Sequence, residues 1–158
     1  MVYANAETIT IAKARFSDLA EILRLQKNAF LSEARLLHDY DIQPLQQTLT
    51  ELEKEFEECL ILKAVNFEDV IVGSVRGREK DGTVYIGKLV VYPECRGQGL
   101  GTRLLNAIED CFPDKRYELF TSDASANNLR LYERNGYREC RKTDTTLGFK
   151  LVYMEKGV

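Results

Sequence analysis

The residues best suited to chemistry lie between Val90 and Leu105, where the sequence reads VVYPECRGQGLGTRLL. Three glycines, Gly97, Gly99 and Gly101, follow Arg96 at alternate positions, after a β-branched run and before an apolar one. Backbone without side chains can approach a ligand closely, and N–H groups at the start of a helix attract an anion. Arginine adds a cationic fork. The stretch therefore predicts a strand, a turn and a helix that together bind a phosphate or pyrophosphate.

Two common phosphate-binding loops do not fit this spacing. A Walker A loop requires G-x-x-x-x-G-K-[ST], which the chain lacks. A dinucleotide-binding loop requires G-x-G-x-x-G early in a doubly wound sheet, with an acidic residue about 20 positions later. Here the spacing is G-x-G-x-G, and although Glu118 stands at roughly that distance, too little chain follows it for such a sheet. A turn that holds no ligand is the remaining structural alternative.

The hydrophobic pattern places this turn late in a chain of alternating strands and helices. Strands are predicted at residues 8–14, 60–65, 70–78, 83–91, 116–121, 137–141 and 147–155, and helices at residues 18–30, 44–56, 100–111 and 127–134. Asp81 and Gly82 predict a tight hairpin, and Gly136 is suited to end the last helix. The order β-α-α-β-β-β-α-β-α-β-β indicates one mixed α/β domain over residues 1–158.

Composition restricts the class of protein. Of the 158 residues, 44% are hydrophobic and 30% charged, a balance typical of a globular domain. The net charge of −3 gives no basic excess for nucleic acid or an anionic membrane, and no apolar run reaches the roughly 20 residues that cross a bilayer. Residues 1–7 lack the features of a secretory signal. Four widely spaced cysteines and one histidine disfavour a metal site and indicate reduced thiols, so we expect a cytoplasmic protein.

Two motifs resemble those of the GNAT superfamily of N-acetyltransferases. Residues 96–101, RGQGLG, resemble its R/Q-x-x-G-x-G/A motif, and residues 131–137, LYERNGY, resemble its L-Y-E-K-x-G-F signature. The two motifs stand in the usual order and at the usual separation, and the order of elements matches along most of the chain. The resemblance implies the GNAT fold, a mixed and mostly antiparallel sheet flanked by helices.

The same resemblance implies a reaction. GNAT enzymes transfer the acetyl group of acetyl-CoA, their cosubstrate, to an amine by direct attack in a ternary complex, without a metal. We therefore expect an N-acetyltransferase that acetylates a primary amine of a small molecule or a protein amino group. A small molecule is favoured, because nothing in the sequence resembles a peptide-reading groove. Both a monomer and a homodimer remain open.

Carried over residue by residue, the resemblance assigns most of the site to the cofactor. Backbone of the turn would hold the pyrophosphate, and backbone of the preceding strand would pair with the pantetheine arm. These positions are Leu89, Val90, Val91, Arg96, Gly97, Gln98, Gly99, Leu100, Gly101 and Thr102. Many relatives also carry an asparagine seven residues before the motif tyrosine. That position is Ser125 here, so Asn127 or Asn128 would substitute, with Asn128 assigned to the cofactor; a helix N-cap suits either asparagine equally.

Tyr132 matches the tyrosine that in many GNAT enzymes protonates the departing CoA thiolate, and a weak acid beside the sulfur suits that step. Packing on an amphipathic helix is the alternative role. The base that accepts the proton of the amine is not assigned, because TVYIGKLVV has no acid where relatives often place a glutamate, and offers Lys88 instead. The candidates are Glu79, Glu118 and Asp123, then Glu33 and Asp39 further away, or a chain of water.

Residues 31–43, with the sequence LSEARLLHDYDIQ, show no regular hydrophobic pattern and are mixed in charge. In GNAT folds the region between the first two helices covers the acceptor pocket, so acidic groups in this segment would hold a cationic amine. Its histidine, His38, is a further candidate base, although an isolated exposed histidine usually has no such role.

Two other functions fit parts of the pattern. A regulatory domain would bind acetyl-CoA without turning it over, and Tyr132 would then have no catalytic role. A nucleotide-binding module would use the same glycine turn and would prefer an adenine dinucleotide to CoA. The pair of motifs counts against the second function more than against the first.

Overall fold

The structure, a computed structural model, describes residues 8–157 as one sheet with helices on both faces. Its strands are β1 (Thr10–Lys13), β2 (Leu60–Val65), β3 (Ile71–Lys80), β4 (Thr83–Val91), β5 (Arg116–Ser122), β6 (Arg138–Asp144) and β7 (Lys150–Lys156). Its helices are α1 (Leu19–Leu37), α2 (Gln43–Gln46), α3 (Leu49–Glu58), α4 (Leu100–Asp110) and α5 (Ala126–Arg134). The predicted fold class, a mixed and mostly antiparallel sheet flanked by helices, is confirmed.

The sheet has seven strands in the order β1-β2-β3-β4-β5-β7-β6. All neighbours are antiparallel except β4 and β5, which are parallel and joined by α4. The parallel ladder is short, because only Thr83–Tyr85 of β4 pair with residues 116–118 of β5. Beyond Tyr85, β4 remains paired with β3 on one side only, so a gap opens between the two central strands.

One apolar core lies on each face of the sheet, between the sheet and the helices that cover it. Ile61 and Leu62 are neighbours on β2, and successive side chains of a strand point to opposite faces of its sheet. Ile61 joins a core with Ile22 and Leu25 of α1, whereas Leu62 joins a second core with Leu104 and other residues of α4. The sheet is therefore buried on both faces at its centre, where β3 is buried from Ile71 to Gly77.

Close approach of α4 to the sheet depends on two glycines of β3. A Cβ added at Gly73 would stand 2.9 Å from Leu104 Cδ1, and one added at Gly77 would stand 2.8 Å from Ile108 Cγ1. Those separations are shorter than carbon–carbon contact allows. The glycines therefore set the distance between the sheet and the helix that the glycine turn opens.

Turns and strands near the centre follow the sequence closely. Strands β2 and β4 have the predicted bounds. The hairpin between β3 and β4 is also confirmed: Asp81 and Gly82 have φ angles of 53° and 84°, which both central positions of a type I′ turn require. Gly136 has a φ of 91° just after α5, as its predicted role at the end of that helix requires.

Two predicted helices have the wrong bounds. Helix α1 does not stop near residue 30 but continues through Leu37, and His38 ends it in the left-handed conformation with a φ of 54°. The helix predicted from Pro44 is two helices, since Thr48 starts a new one with a reciprocal cap. Its Oγ1 accepts from Glu51 N at 3.2 Å, and Glu51 Oε1 accepts from Thr48 N at 2.9 Å.

Strand β6 forms one edge of the sheet and differs from the central strands in composition. Its sequence is RECRKTD, and six of the seven side chains are exposed. Arg141 of this strand lies over the ring of Tyr153 on β7, with 3.8 Å between the guanidinium carbon and the ring centroid. Within residues 8–157, no helix is both long enough and apolar enough to cross a membrane.

Replacing Gly77 by alanine is expected to lower the free energy of unfolding by about 1–3 kcal/mol, since the new methyl group would displace Ile108. Gly87→Ala on β4 is the control, because a Cβ there meets nothing within 4 Å. Urea denaturation of both variants measures the difference. Equal stabilities of the two variants would contradict the close approach of α4.

Candidate functional site

The glycine turn lies between β4 and α4 and leaves the start of that helix open. Gly97 and Gly99 have φ angles of 79° and 77°, a conformation that residues with a Cβ rarely adopt. Gly99 is the N-cap of α4, and no side chain caps the helix there. Since the first N–H groups of a helix have no partner within it, those of α4 are directed at the turn. The turn and the helix start are thus suited to bind an anion, as the sequence predicts.

Gly101 and Thr102 connect this turn to α5. A Cβ on Gly101 would stand 3.4 Å from Leu131 Cδ2, so α4 and α5 are in contact there. Asn135 Nδ2 donates to Thr102 Oγ1 at 3.3 Å. The hydroxyl of Thr102 still has its own proton to donate. The two motifs identified in the sequence are therefore neighbours in space.

Arg96 makes its side-chain contacts with α1. Its Nη2 lies 3.3 Å from the carbonyl oxygen of Ala29 and 3.4 Å from Ser32 Oγ, and its Nη1 lies 3.5 Å from the same hydroxyl. In this arrangement the guanidinium links the glycine turn to α1 rather than reaching over the turn. Its exposed position leaves it able to turn toward a bound anion.

The three assigned residues of β4 lie along the gap beside β5. Val90 is paired with Ser74 and Val91 with Gly73 across the β3 side, whereas the last β4–β5 pair is Tyr85 with Glu118. Side chains do not block this arrangement, since Val90 is buried and Leu89 and Val91 are half-buried. The polar backbone of this part of β4 faces the gap, where an extended ligand can add to the strand.

Tyr132 lies on α5 with its ring buried. The residue is 8% exposed, and its ring centroid lies 6.1 Å from that of Tyr137. Burial, and then the charge of Glu33, raise the pKa of Tyr132 to about 12. The phenol is therefore protonated at neutral pH. Among the described residues its hydroxyl has no hydrogen-bond partner, so its proton is available to another group.

Glu33 lies on the part of α1 beyond residue 30, which the sequence did not predict to be helical, and this part of the helix brings it near Tyr132. Its Oε1 accepts a hydrogen bond of 2.5 Å from Ser125 Oγ, at the start of α5. Glu33 also occupies the inward stripe of α1 that contains Ile22, Gln26 and Ala29. Continuation of this i, i+3, i+4, i+7 spacing past residue 30 was the signal that could have placed Glu33 inside.

The other candidate bases are engaged elsewhere. Glu79 pairs with Lys115 at 3.2 Å, and Glu118 pairs with Arg116 at 2.8 Å. Asp123 Oδ1 accepts from the backbone N–H of Lys150 at 3.1 Å. Asp39 accepts from Asp41 N at 2.9 Å in the exposed connection after α1, next to the helix-ending His38. Of all these groups, Glu33 alone is close enough to act on Tyr132.

The asparagines of α5 are not its N-cap, so that alternative was wrong. Ser125 occupies the N-cap position, and Asn127 and Asn128 lie inside the helix. Asn128 Nδ2 donates to Thr121 Oγ1 on β5 at 3.3 Å, which places it beside the strand that borders the gap. Asn127 instead accepts a hydrogen bond from Arg130 on the exposed side of the helix.

Metal-ligating side chains are not grouped in this part of the protein. In residues 8–157, no three of the His, Cys, Asp and Glu side chains are placed to hold an ion. The four cysteines are free thiols, of which Cys95 is buried, Cys59 is half-buried, and Cys111 and Cys140 are exposed.

Comparison with known proteins was made for sequence and for fold. The model of a family described as acetyltransferase (GNAT) matches residues 18–137. The PaiA N-acetyltransferase from Thermoplasma acidophilum, in complex with coenzyme A, is similar with a TM-score of 0.80 and 18% identity, over 95% of this chain and 99% of that chain. The structure of yncA from Salmonella typhimurium with its cofactor acetyl-CoA is similar with a TM-score of 0.73 and 20% identity, over 94% of this chain and 93% of that chain. The ribosomal-protein-S18-alanine N-acetyltransferase from Escherichia coli is similar with a TM-score of 0.72 and 19% identity, over 94% of this chain and 92% of that chain.

Replacing Glu33 by glutamine is expected to lower the pKa of Tyr132, because the carboxylate charge that opposes tyrosinate formation is removed. Carbon-13 NMR of ring-labelled tyrosine, with Tyr132→Phe to assign the signal, measures this pKa. Asp39→Asn removes a carboxylate from the exposed connection after α1 and is the control. An unchanged pKa in the Glu33 variant would show that the carboxylate is remote from the phenol.

Proposed function

The chain belongs to the acetyltransferase (GNAT) family, and from that premise we propose that it is an N-acetyltransferase that moves the acetyl group of acetyl-CoA to a primary amine of a small molecule. One observation carries the proposal. The start of α4 has no side-chain cap, β4 is unpaired on its β5 side after Tyr85, and the buried Tyr132 belongs to α5, which contacts α4 at Gly101 and Leu131. An anion site, an extended backbone edge and a weak acid are what a pyrophosphate, a pantetheine arm and a thiolate need.

Acetyl-CoA would bind along that gap in an extended form. The backbone amides of Gly97, Gly99 and Gly101 would hold the pyrophosphate at the positive end of α4. The pantetheine arm would add to β4 beside Leu89 and Val91 as a further strand. Structurally similar proteins with coenzyme A or acetyl-CoA bound support this choice of cofactor.

Acetyl transfer then needs one proton accepted and one donated. The neutral amine attacks the carbonyl carbon of the thioester, and backbone N–H groups of β4 stabilise the oxyanion that forms. The carbon–sulfur bond breaks with its electron pair on sulfur, and Tyr132 gives the thiolate its proton to form CoA. A pKa of about 12 keeps this phenol protonated until the thiolate appears.

Glu33 is the base that we assign to the amine. An alkylammonium with a pKa near 10.4 is neutral in only about one molecule in a few thousand at pH 7, so a proton must leave it before attack. The carboxylate of Glu33 accepts a hydrogen bond from Ser125 Oγ at the start of α5, and its charge acts on Tyr132. It would take the first proton of the ammonium directly or through one water molecule and pass it to solvent before attack. The second proton leaves the nitrogen as the amide forms and, through water, restores the proton that Tyr132 gave to sulfur.

Titration calorimetry tests the cofactor. We expect acetyl-CoA to bind, NAD to bind far more weakly, and Gly99→Val to reduce acetyl-CoA affinity at least about tenfold, because a β-branched residue is strained at a φ of 77°. Gly148→Val is the matched control, since Gly148 has a φ of 85° and open space around it in the β6–β7 connection. Preference for NAD over acetyl-CoA would refute the proposal.

Steady-state kinetics test the acid. We expect Tyr132→Phe to lower kcat about 10²–10⁴-fold while acetyl-CoA affinity stays the same, since the phenol acts on a charge that exists only during transfer. Tyr117→Phe is the control, because that hydroxyl donates to the carbonyl of Phe112 at the far end of α4. Acetyl-CoA binding without any turnover in the wild-type protein would favour the regulatory alternative.

A further inference from the structure

A buried cation lies between the sheet and the first three helices. Arg76 on β3 is 3% exposed and holds together side chains from α1, from α3 and from the connection between α2 and α3. Its Nη1 lies 3.1 Å from Glu55 Oε2 and 3.3 Å from Gln47 Oε1, and its Nη2 donates to Gln26 Oε1. Within the described residues its Nε is the one buried side-chain polar atom without a hydrogen bond.

A second cation, Lys88, lies beside this network. Its φ of 51° marks a bulge where Val75 of β3 faces two residues of β4, since pairing steps from Ser74–Val90 to Arg76–Gly87. The lysine side chain is half-buried, and it makes no ion pair or hydrogen bond with the described residues. Burial first, and then the charge of Arg76, lower the pKa of Lys88.

The charges around these cations do not balance. Arg76 and Lys88 carry two positive charges, and Glu55 carries one negative charge. The other titratable group that acts on them is Cys59, whose thiol has a pKa raised by burial and then by Glu55, so it is neutral at pH 7. An unbalanced charge removed from water is unfavourable unless a partner arrives. The site thus lacks one negative charge.

The unbalanced charge lies next to the opening between β4 and β5. Lys88 follows the last β4–β5 pair, at Tyr85, by three residues and immediately precedes Leu89. Arg76, whose charge acts on Lys88, donates to Gln26 of α1, and Glu33 belongs to the same helix and contacts Ser125 at the start of α5. An acceptor between Lys88 and Glu33 would meet a cation on one side and a carboxylate on the other.

We propose that the acceptor is an amino acid or a similar small amine that carries a carboxylate, and that Lys88 binds that carboxylate while the amine faces the thioester. The inference rests on the proposed N-acetyltransferase function. One unbalanced positive charge matches one carboxylate, and a polyamine would add charge of the wrong sign. Lys88 is therefore a specificity-determining residue, and Arg76 holds the surrounding helices in place.

Pairs of amines that differ only in the carboxylate test this inference. The probes are L-ornithine with putrescine, L-lysine with cadaverine, and L-phenylalanine with phenethylamine, each assayed with acetyl-CoA by thiol release. In wild-type protein we expect kcat/KM for the carboxylated member to exceed that of its partner at least about tenfold in the best pair. We expect Lys88→Met to bring this ratio close to one, and Lys88→Arg to keep most of it.

Lys54→Met, on the exposed side of α3, is the matched control and should leave the ratio as in wild type. Faster acetylation of putrescine, cadaverine and phenethylamine than of their carboxylated partners would overturn the inference, as would a ratio that Lys88→Met does not change. So would acetyl-CoA binding with no acetylation of any probe. The proposed function fails separately, when calorimetry detects no acetyl-CoA binding at all.

Discussion

Strands β4 and β5 run side by side for only three residues each, and the candidate site depends on what happens where that ladder ends. Strand β5 continues into a six-residue antiparallel ladder with β7, whereas β4 continues with β3. Beyond Tyr85 and Glu118 no pair joins β4 to β5, although each keeps its outer neighbour, so the two strands diverge there. The separation leaves backbone N–H and C=O groups of β4 in need of partners at the centre of the molecule, where water or an extended ligand must supply them.

Helix α1 is the second determinant of the site, because it reaches three separate parts of the protein. Ala29 and Ser32 receive the guanidinium of Arg96 from the glycine turn, Glu33 receives the hydroxyl of Ser125, and Gln26 joins the buried network of Arg76. Any shift of α1 along its axis would change all three contacts together. The helix therefore fixes the glycine turn, the start of α5 and the network of Arg76 relative to one another.

Local signals explain which parts of this arrangement the sequence predicts. Strands β2 and β4 are short β-branched runs between turn residues, and the Asp81-Gly82 turn requires only its own two residues, so each could be found without knowledge of the rest. The glycine turn and Tyr132 were found through two motifs. The end of α1 was missed because the mixed polarity after residue 30 obscures an inward stripe that includes a charged residue, Glu33.

The buried hydrogen-bond network around Arg76 could not be predicted from the sequence, for a different reason. Gln26, Gln47 and Arg76 are far apart in sequence, and each is individually typical of an exposed surface. Only tertiary packing brings them together, and only the bulge at Lys88 turns a strand lysine toward them. The break between α2 and α3 was likewise hidden, because apolar residues in the two helices keep the spacing of one continuous helix.

Strand β6 has a consequence for self-association. Open edges of sheets are templates on which a second chain can add a strand, and charged side chains on an edge suppress such growth. Five of the seven residues of β6, in RECRKTD, are charged, and most of them are exposed. Parallel, in-register stacking of another copy on this edge would bring like charges opposite one another, so the charged side chains of β6 disfavour fibre-like growth of that kind.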